Sequence, residues 1–401
     1  LISKRISKKT GTLKKEENQS IENFQDNIGE TLELFGQIKA SNKEKFFFDN
    51  AIDKARDIQR TSNAFNYKSV AYERFSFTVF LIAFEIFRAT GLILVEYNDL
   101  SIGMMFAMFG YIWFIMTPVQ DILTIQYSYA SASAAIKRIN KILDLKTEKN
   151  GNEELCSKDK RVNIKLDNLC FSYNKEKTIL QDISFDIPAG EKVALIGASG
   201  SGKTTLAQLI SGFYSKKSGD IIYNNISIEK LDRQSLRDNI FLVLQMPILF
   251  NNSLRFNITM GNESITDTQI HEALKIAQLD DVVEKMTEGL DTIVGRHGVR
   301  LSGGQRQRLS IARMIIANPA VVIFDESTSA LDVHTEAKLF NALIPVLKDK
   351  TVITIAHRLS TVKNANMIYV LDDGKIVQRG KHEELEEEEG HYLQFVKNQL
   401  I

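Results

Sequence analysis

The chain has 401 residues, enough for two or three domains at roughly 150 residues each. Lys plus Arg equals Asp plus Glu, 50 against 50, so the formal net charge is zero and the cation surplus of a dedicated nucleic-acid binder is missing. Hydrophobic residues at 44% and charged residues at 25% exclude global disorder. Cys156 and Cys170 stand in no CxxC or Cys/His cluster, which excludes a disulfide framework and a structural zinc site.

From its start at Leu1, with no apolar signal core, the chain reads as a piece of something longer. Residues 1–20 are basic. Residues 20–68 are polar and helix-favouring, interrupted only by Gly29 and Gly36. Ile21, Phe24, Ile28, Leu32 and Leu34 recur at roughly helical spacing, which predicts a long, partly solvated helix. Two apolar spans follow, Phe75–Val95 and Ser101–Gln120, joined by the polar turn Glu96–Leu100. The second carries no charge and has about the length that crosses a bilayer. Cations flank the pair (Lys54, Arg56, Arg60, Lys68 and Arg74 before; Lys137, Arg138 and Lys141 after) and avoid the turn, so the positive-inside tendency predicts cytoplasmic flanks. Glu85 and Arg88 lie on one helical face inside the first span, as a pair facing a bundle or cavity, or as a sign that the hairpin belongs to a soluble core.

Residues 146–161 are polar and read as a linker. From Val162 the texture changes to short apolar runs, including Val162–Leu166, Thr178–Phe185, Lys192–Ile196, Val321–Phe324, Val352–Ile355 and Met367–Leu371, with helical stretches between. This alternation predicts an α/β domain with a largely parallel sheet behind an all-α segment. The acidic run Glu383–Glu389 reads as a solvated helix face, and His271, His297, His334, His382 and His391 as surface or loop residues.

Gly197-Ala198-Ser199-Gly200-Ser201-Gly202-Lys203-Thr204 satisfies G-x-x-x-x-G-K-[ST], after an apolar strand and before the helix-compatible run from Thr205. Glycines let the backbone turn tightly and aim N–H groups at phosphate oxygens, helped by the partial positive charge of the helix N-terminus. Lys203 is expected on the β- and γ-phosphates and the Thr204 hydroxyl on Mg²⁺. Downstream, the apolar run 320–324 ends in Asp325 and Glu326. An acid at that strand end suits the Mg²⁺ shell, and its neighbour suits the orientation and deprotonation of an attacking water.

Between those motifs stands Leu301-Ser302-Gly303-Gly304-Gln305, which resembles the signature of the ATP-binding cassette (ABC) family. Its other elements appear in family order: Tyr173 for adenine stacking, Gln245 for the γ-phosphate and Mg²⁺, Ser329-Ala330-Leu331-Asp332 for the dimer seam, and His357 as the switch histidine. Residues 162–401 carry this likeness. Residues 1–145 resemble, by pattern and order, the last part of an exporter-type transmembrane domain. Lys39–Lys45 then falls at a coupling helix and Pro118 in the sixth membrane helix. The resemblance implies two cassettes sandwiching two ATP molecules, each held between the P-loop side (residues 197–205, Asp325, Gln245) of one subunit and residues 302–305 of the other. It further implies ATP and Mg²⁺ as cofactors, Glu326, His357 and Gln245 as catalytic residues, and a second half-transporter as partner, a homodimer being the simplest form and a heterodimer the alternative. Location would be the plasma or inner membrane, multi-pass, with a cytoplasmic nucleotide-binding domain and an unidentified substrate. Soluble ABC ATPases and a membrane-tethered accessory ATPase are the competing classes. The sequence departs from the usual exporter pattern at Gly295-Arg296-His297-Gly298, which lacks an acid, and at Leu244, where proline is common.

Overall fold

The computed structural model describes residues 2–97, 101–145, 147–155, 161–174, 177–295, 298–327, 330–356 and 358–399. Ser329, His357, Arg296, His297, Cys156 and the turn residues Asn98–Leu100 lie outside them. The chain forms two compact units, Leu1–Leu145 and Lys146–Ile401.

The first unit is helical. The predicted long helix breaks at Leu34, giving α1 (Ile2–Glu33) and a short α2 (Phe35–Ala40). The chain turns at Ser41–Lys43 and enters α3 (Glu44–Glu96). Asn42, at φ 54°, supplies the left-handed residue of that turn, a conformation asparagine tolerates well. α1 and α3 are tied side to side. The nearly buried Glu17 accepts hydrogen bonds from Lys14 Nζ and Ser62 Oγ, both at 2.6 Å. The Lys14 ammonium also lies 4.8 Å from the centre of the Phe65 ring. These bonds hold the Glu17 carboxyl below its ordinary pKa.

The polar stretch and the first apolar span fuse into one 53-residue helix, α3, which at 1.5 Å per residue is about 80 Å long. Among the described residues it is the helix long and apolar enough to cross a membrane. α4 (Ile102–Leu143) opens with Ser101 Oγ accepting from the Met104 N–H at 3.2 Å and runs through Pro118. α3 and α4 touch where Gly91 leaves room for Met105 and Phe109, with Phe84 and Phe87 edge-on to Phe109 at 6.1 and 6.0 Å. Glu85 and Arg88 do pair, at 2.7 Å, with both side chains about half exposed. Large apolar side chains such as Phe75, Phe77, Ile86, Phe106 and Phe114 lie on the outside of these helices.

The second unit is built on two sheets. The larger one runs in the order β12-β11-β3-β10-β9-β6: β3 (Lys192–Gly197), β6 (Ile240–Val243), β9 (Val321–Asp325), β10 (Thr351–Ile355) and β11 (Met367–Asp372) are parallel, and β12 (Lys375–Gly380) is antiparallel to β11. Val193–Ile196 and Val321–Phe324 are almost wholly buried, as expected for parallel strands covered on both faces. The largely parallel sheet was legible in those runs; the second sheet was not. It is antiparallel, in the order β2-β1-β4-β5, from β1 (Ile164–Phe171), β2 (Leu180–Ile187), β4 (Ser218–Tyr223) and β5 (Ile226–Ser227). Its inward positions, Ile164, Leu166, Leu169, Ile183 and Tyr223, join Leu195 and Ile353 in one core.

The stretch read as a linker is pinned down from Glu148 to Leu155. Gly151 N–H donates to Leu231 O at 3.1 Å, Glu153 N–H to Lys230 O at 2.9 Å, and Asp232 N–H to Glu153 O at 2.8 Å. Asn150 bonds the Asp232 carboxylate at 2.9 Å and the Arg233 N–H at 2.7 Å, at the start of α6 (Arg233–Asn239), and Glu148 pairs with Arg237. Leu155 is buried.

A helical arm carries α7 (Leu254–Thr259), α8 (Asp267–Ile276), α9 (Asp280–Glu284) and the paired segments β7 (Asn252–Ser253) and β8 (Ile293–Val294). It ends on α10 (Gly303–Ala317). α11 (Val333–Leu343) and α12 (Leu359–Val362) follow β9 and β10. Near the C-terminus, α13 (His382–Glu387) takes in most of the predicted acidic helix and packs on α14 (His391–Gln399). His382, expected at the surface, is instead buried there, 9% exposed, with Nδ1 2.6 Å from the Tyr392 hydroxyl. Its place on α13 puts it on the inward face, which single-residue polarity does not report.

Candidate nucleotide site

In an open parallel sheet, ligands bind beyond the carboxyl ends of the strands. The register of this sheet aligns those ends: Leu195 pairs with Ile355, Ile355 with Asp325, and Val243 with Phe324. The P-loop after β3, Gln245 after β6, Asp325 at the end of β9 with Glu326 just beyond it, and the segment after β10 that leads to His357 therefore leave along one edge. His357 itself lies outside the described residues.

The loop from Gly197 to Gly202 has the backbone its glycines permit. Gly200 and Gly202 take φ 82° and 104°, regions that disfavour any side chain. A Cβ on Gly202 would also come within 2.7 Å of Leu180, whereas one on Gly200 would meet nothing within 4 Å. The loop is thus supported behind and open in front. Ser201 Oγ is buried without a hydrogen-bond partner, an orphan polar atom of the kind a bound phosphate oxygen satisfies. α5 (Lys203–Ile210) starts directly after the loop, its first N–H groups directed at the same opening.

Lys203 is folded back onto the loop, its Nζ donating to the carbonyls of Gly197 and Ala198 at 2.9 Å each. Burial pushes its ammonium below the ordinary lysine value, while Glu326 and Asp325 pull it back up. Thr204 Oγ1 donates to Asp325 Oδ1 at 3.1 Å, and Gln245 Nε2 to Glu326 Oε2 at 2.6 Å. These bonds join four of the expected site residues around one spot. Glu326 sits at φ 46°, a left-handed conformation that costs a non-glycine residue on the order of 1 kcal/mol and persists where its surroundings enforce it.

Tyr173 lies beside the loop. Its hydroxyl is 3.1 Å from Thr205 Oγ1 and 3.4 Å from Gln208 Oε1, and Phe171 and Tyr214 meet it edge-on at 4.9 and 5.2 Å. That grip fixes the ring edge and leaves it about half exposed, so a planar base can stack there. Thr205, expected to touch the nucleotide, spends its hydroxyl on Tyr173.

Ser302–Gln305 form a reciprocal cap on α10: Ser302 Oγ accepts from the Gln305 N–H at 3.2 Å and Gln305 Oε1 from the Ser302 N–H at 2.7 Å. Gly303 and Gly304 pack on Ala330 and Leu331, where a Cβ on Gly304 would come within 3.0 Å of Ala330 O. Asp332 caps α11 by accepting the Thr335 N–H at 3.0 Å, and that bond holds its carboxyl below the usual range.

Two residues that motif spacing does not single out also converge here. Gln307 joins Gln245 O to the Ala330 N–H, and Arg358 donates to Leu331 O at 3.1 Å while pairing with the buried Glu336. The available signal for Gln307 was a polar residue on a helical face otherwise occupied by Ile311 and Met314.

The chain is also similar to known proteins. The ABC transporter family profile matches residues 180–329. An ATP-dependent lipid A-core flippase of Haemophilus ducreyi is 39% identical over 305 residues, 76% of this chain and 52% of the flippase. An ABC transporter ATP-binding protein of Bacillus subtilis is 35% identical over 396 residues, 98% of this chain and 68% of that protein. The structure of a bacterial Atm1-family ABC exporter with ATP bound superposes with a TM-score of 0.91 at 26% identity, covering 99% of this chain and 70% of the exporter chain. The chain thus spans about half the length of flippase relatives such as that of H. ducreyi. Helices followed by an α/β ATPase unit, the ordered motifs and a 35%-identical relative matched over two thirds of its length lead to one conclusion: the chain belongs to the ABC transporter family, with the fold of its exporter branch.

Proposed function

We propose that this chain is the ATP-hydrolysing part of an ABC exporter, coupling ATP binding and hydrolysis at a head-to-tail cassette dimer to movement of a substrate across the membrane. The observation that carries this reading is the convergence of Thr204 on Asp325 and of Gln245 on Glu326 beside an open P-loop. Lys203 would leave the Gly197 and Ala198 carbonyls to neutralise the β- and γ-phosphates, which the loop N–H groups would hold. Thr204, Asp325 and the Gln245 side-chain carbonyl would offer oxygen ligands suited to Mg²⁺, which would supply positive charge to offset the negative charge of the phosphates. Glu326 would accept the proton of the attacking water and Gln245 would orient its carboxylate. Tyr173 would stack on the base. His357 would act at the γ-phosphate, and Ser302–Gln305 would close on the nucleotide of the partner cassette, a second half-transporter and most simply a second copy.

The long apolar α3, with α4 beside it, supports a multi-pass position in the plasma or inner membrane with the ATPase unit in the cytoplasm. The flippase relatives support a lipid-like amphiphile as cargo. The test is ATP turnover by the protein in lipid. Glu326→Gln should lower kcat by about 10²-fold or more, the scale of a lost general base, while ATP binding persists. Turnover within twofold of wild type would overturn the assignment.

A further inference from the structure

Between the Gln245 segment and the Ala330 turn lies a side chain to which the proposed chemistry assigns no part. We propose that Gln307 is a positioning residue for the reaction at Glu326: its carboxamide ties the Gln245 segment to the Ala330 turn, so that both keep register with the signature helix α10. This rests on the ATPase reading above and extends it.

Gln307 is 2% exposed, in the second turn of α10. Its Nε2 donates to the Gln245 carbonyl at 3.0 Å and its Oε1 accepts the Ala330 N–H at 3.2 Å. A carboxamide presents a donor and an acceptor on one planar group, so it can satisfy a carbonyl of one loop and an N–H of the other at once. One of these loops reaches the Glu326 carboxylate and the other continues the chain beyond Glu326. Gln245 Nε2 is 2.6 Å from Glu326 Oε2, and Ala330 lies four residues beyond Glu326 on the segment leaving β9.

The first turn of α10 adds a second hold. Gly304 lies so close to Ala330 and Leu331 that a Cβ there would come within 3.0 Å of Ala330 O and 2.9 Å of Leu331 Cδ2. Displacement of Ser302 and its helix must therefore displace residues 330–331, and through Gln307 the Gln245 segment as well. The left-handed backbone of Glu326 requires such restraint, since a residue in that conformation relaxes when its surroundings loosen. Placement matters because an error of about 1 Å in a reacting group costs about 10²-fold in rate.

The test measures kcat, KM and binding of a trinitrophenyl-ATP probe for the intact protein in lipid nanodiscs. Gln307→Met keeps the length and removes both bonds; Gln307→Glu keeps an acceptor for Ala330 and removes the donor to Gln245. Gln307→Met should lower kcat about 10- to 100-fold while KM and probe affinity stay within about threefold, the pattern of a group that acts on the transition state. Gln307→Glu should fall between it and wild type. Adding Gln245→Ala to Gln307→Met should cost little beyond the worse single change, because the two act through one segment. An unchanged kcat, a parallel rise in KM, multiplicative losses in the double variant, or loss of probe binding in both Gln307 variants would each overturn the proposal. Glu326→Gln in the same preparation separates the two ideas: if it turns over like wild type the ATPase reading falls, and if it is silent while Gln307→Met is fully active only the Gln307 proposal falls.

Discussion

Gly151→Ala tests whether the polar segment after Leu145 is a structural part of the ATPase unit. A Cβ at Gly151 would run into the Lys230 carbonyl and stand 2.6 Å from Leu231 N, and both neighbours are backbone. The strap must therefore lift. Lifting strains or breaks the bonds Gly151 N–H to Leu231 O, Glu153 N–H to Lys230 O and Asp232 N–H to Glu153 O. At about 0.5–1.5 kcal/mol net for each, and with some of them surviving a partial shift, the expected loss is about 2–3 kcal/mol. The exposed Glu148–Arg237 pair adds little. For a unit of this size, about 2–4 °C per kcal/mol gives a fall in Tm of about 5–10 °C. Scanning calorimetry of the protein in lipid reads the transition, and hydrogen exchange locates it: the amides of Glu153 and Asp232 should lose protection while those of Lys203–Ile210 keep theirs. A Tm within 1 °C of wild type with full protection at Glu153 would show that the segment gives way without cost, and the packing argument would fail.

Three further outcomes are expected. Replacing Glu326 by Gly and by Ala removes the same carboxylate, but at φ 46° the Gly variant should be more stable by about 1 kcal/mol; the reverse order in urea unfolding would mean that the left-handed backbone is not imposed. Gly202→Ala meets both φ 104° and Leu180 Cδ2 at 2.7 Å, so probe affinity should drop about tenfold or more, by isothermal titration; unchanged affinity would show a pliable loop. Burial lowers the Lys203 pKa from its ordinary 10.5, so the folded state loses this proton before the unfolded state does. Wild type should then gain stability relative to Lys203→Met as pH rises from the lowered pKa towards 10.5, and the difference should be flat below that window. Parallel urea-stability profiles of the two proteins as pH rises to 10.5 would refute the shift.

What could be read in advance followed from local demands. Val321–Phe324 reads as a buried strand because a parallel strand covered on both faces must be apolar throughout. Gly197–Thr204 reads as a phosphate loop because only glycines allow that backbone next to a helix N-terminus. The break between α1 and α3 was harder. Neither Gly29 nor Gly36 ends a helix; the reversal comes at Ser41–Lys43, and what rewards it is the packing of Lys14 and Glu17 against Ser62 and Phe65, some 45 residues away along the chain. The antiparallel sheet escaped notice because β1 and β2 read only as short apolar runs, and β4 was not singled out at all, until Ile164 finds Ile187 and Tyr223.

By itself, then, the sequence determined the fold class and the family, and it supplied most of the residues proposed for the site, since each depends on residue types at short spacing. The tertiary structure alone decided which of those residues bond one another in this chain: Thr204 to Asp325 across 121 positions, Gln245 to Glu326 across 81, and Gln307 between Gln245 and Ala330. It also decided that residues 148–155 form a strap and that His382 is interior. The physical reason is common to all of them: the partner of a buried polar group is chosen by strand order and helix packing, and neither is written in the residues adjacent to it.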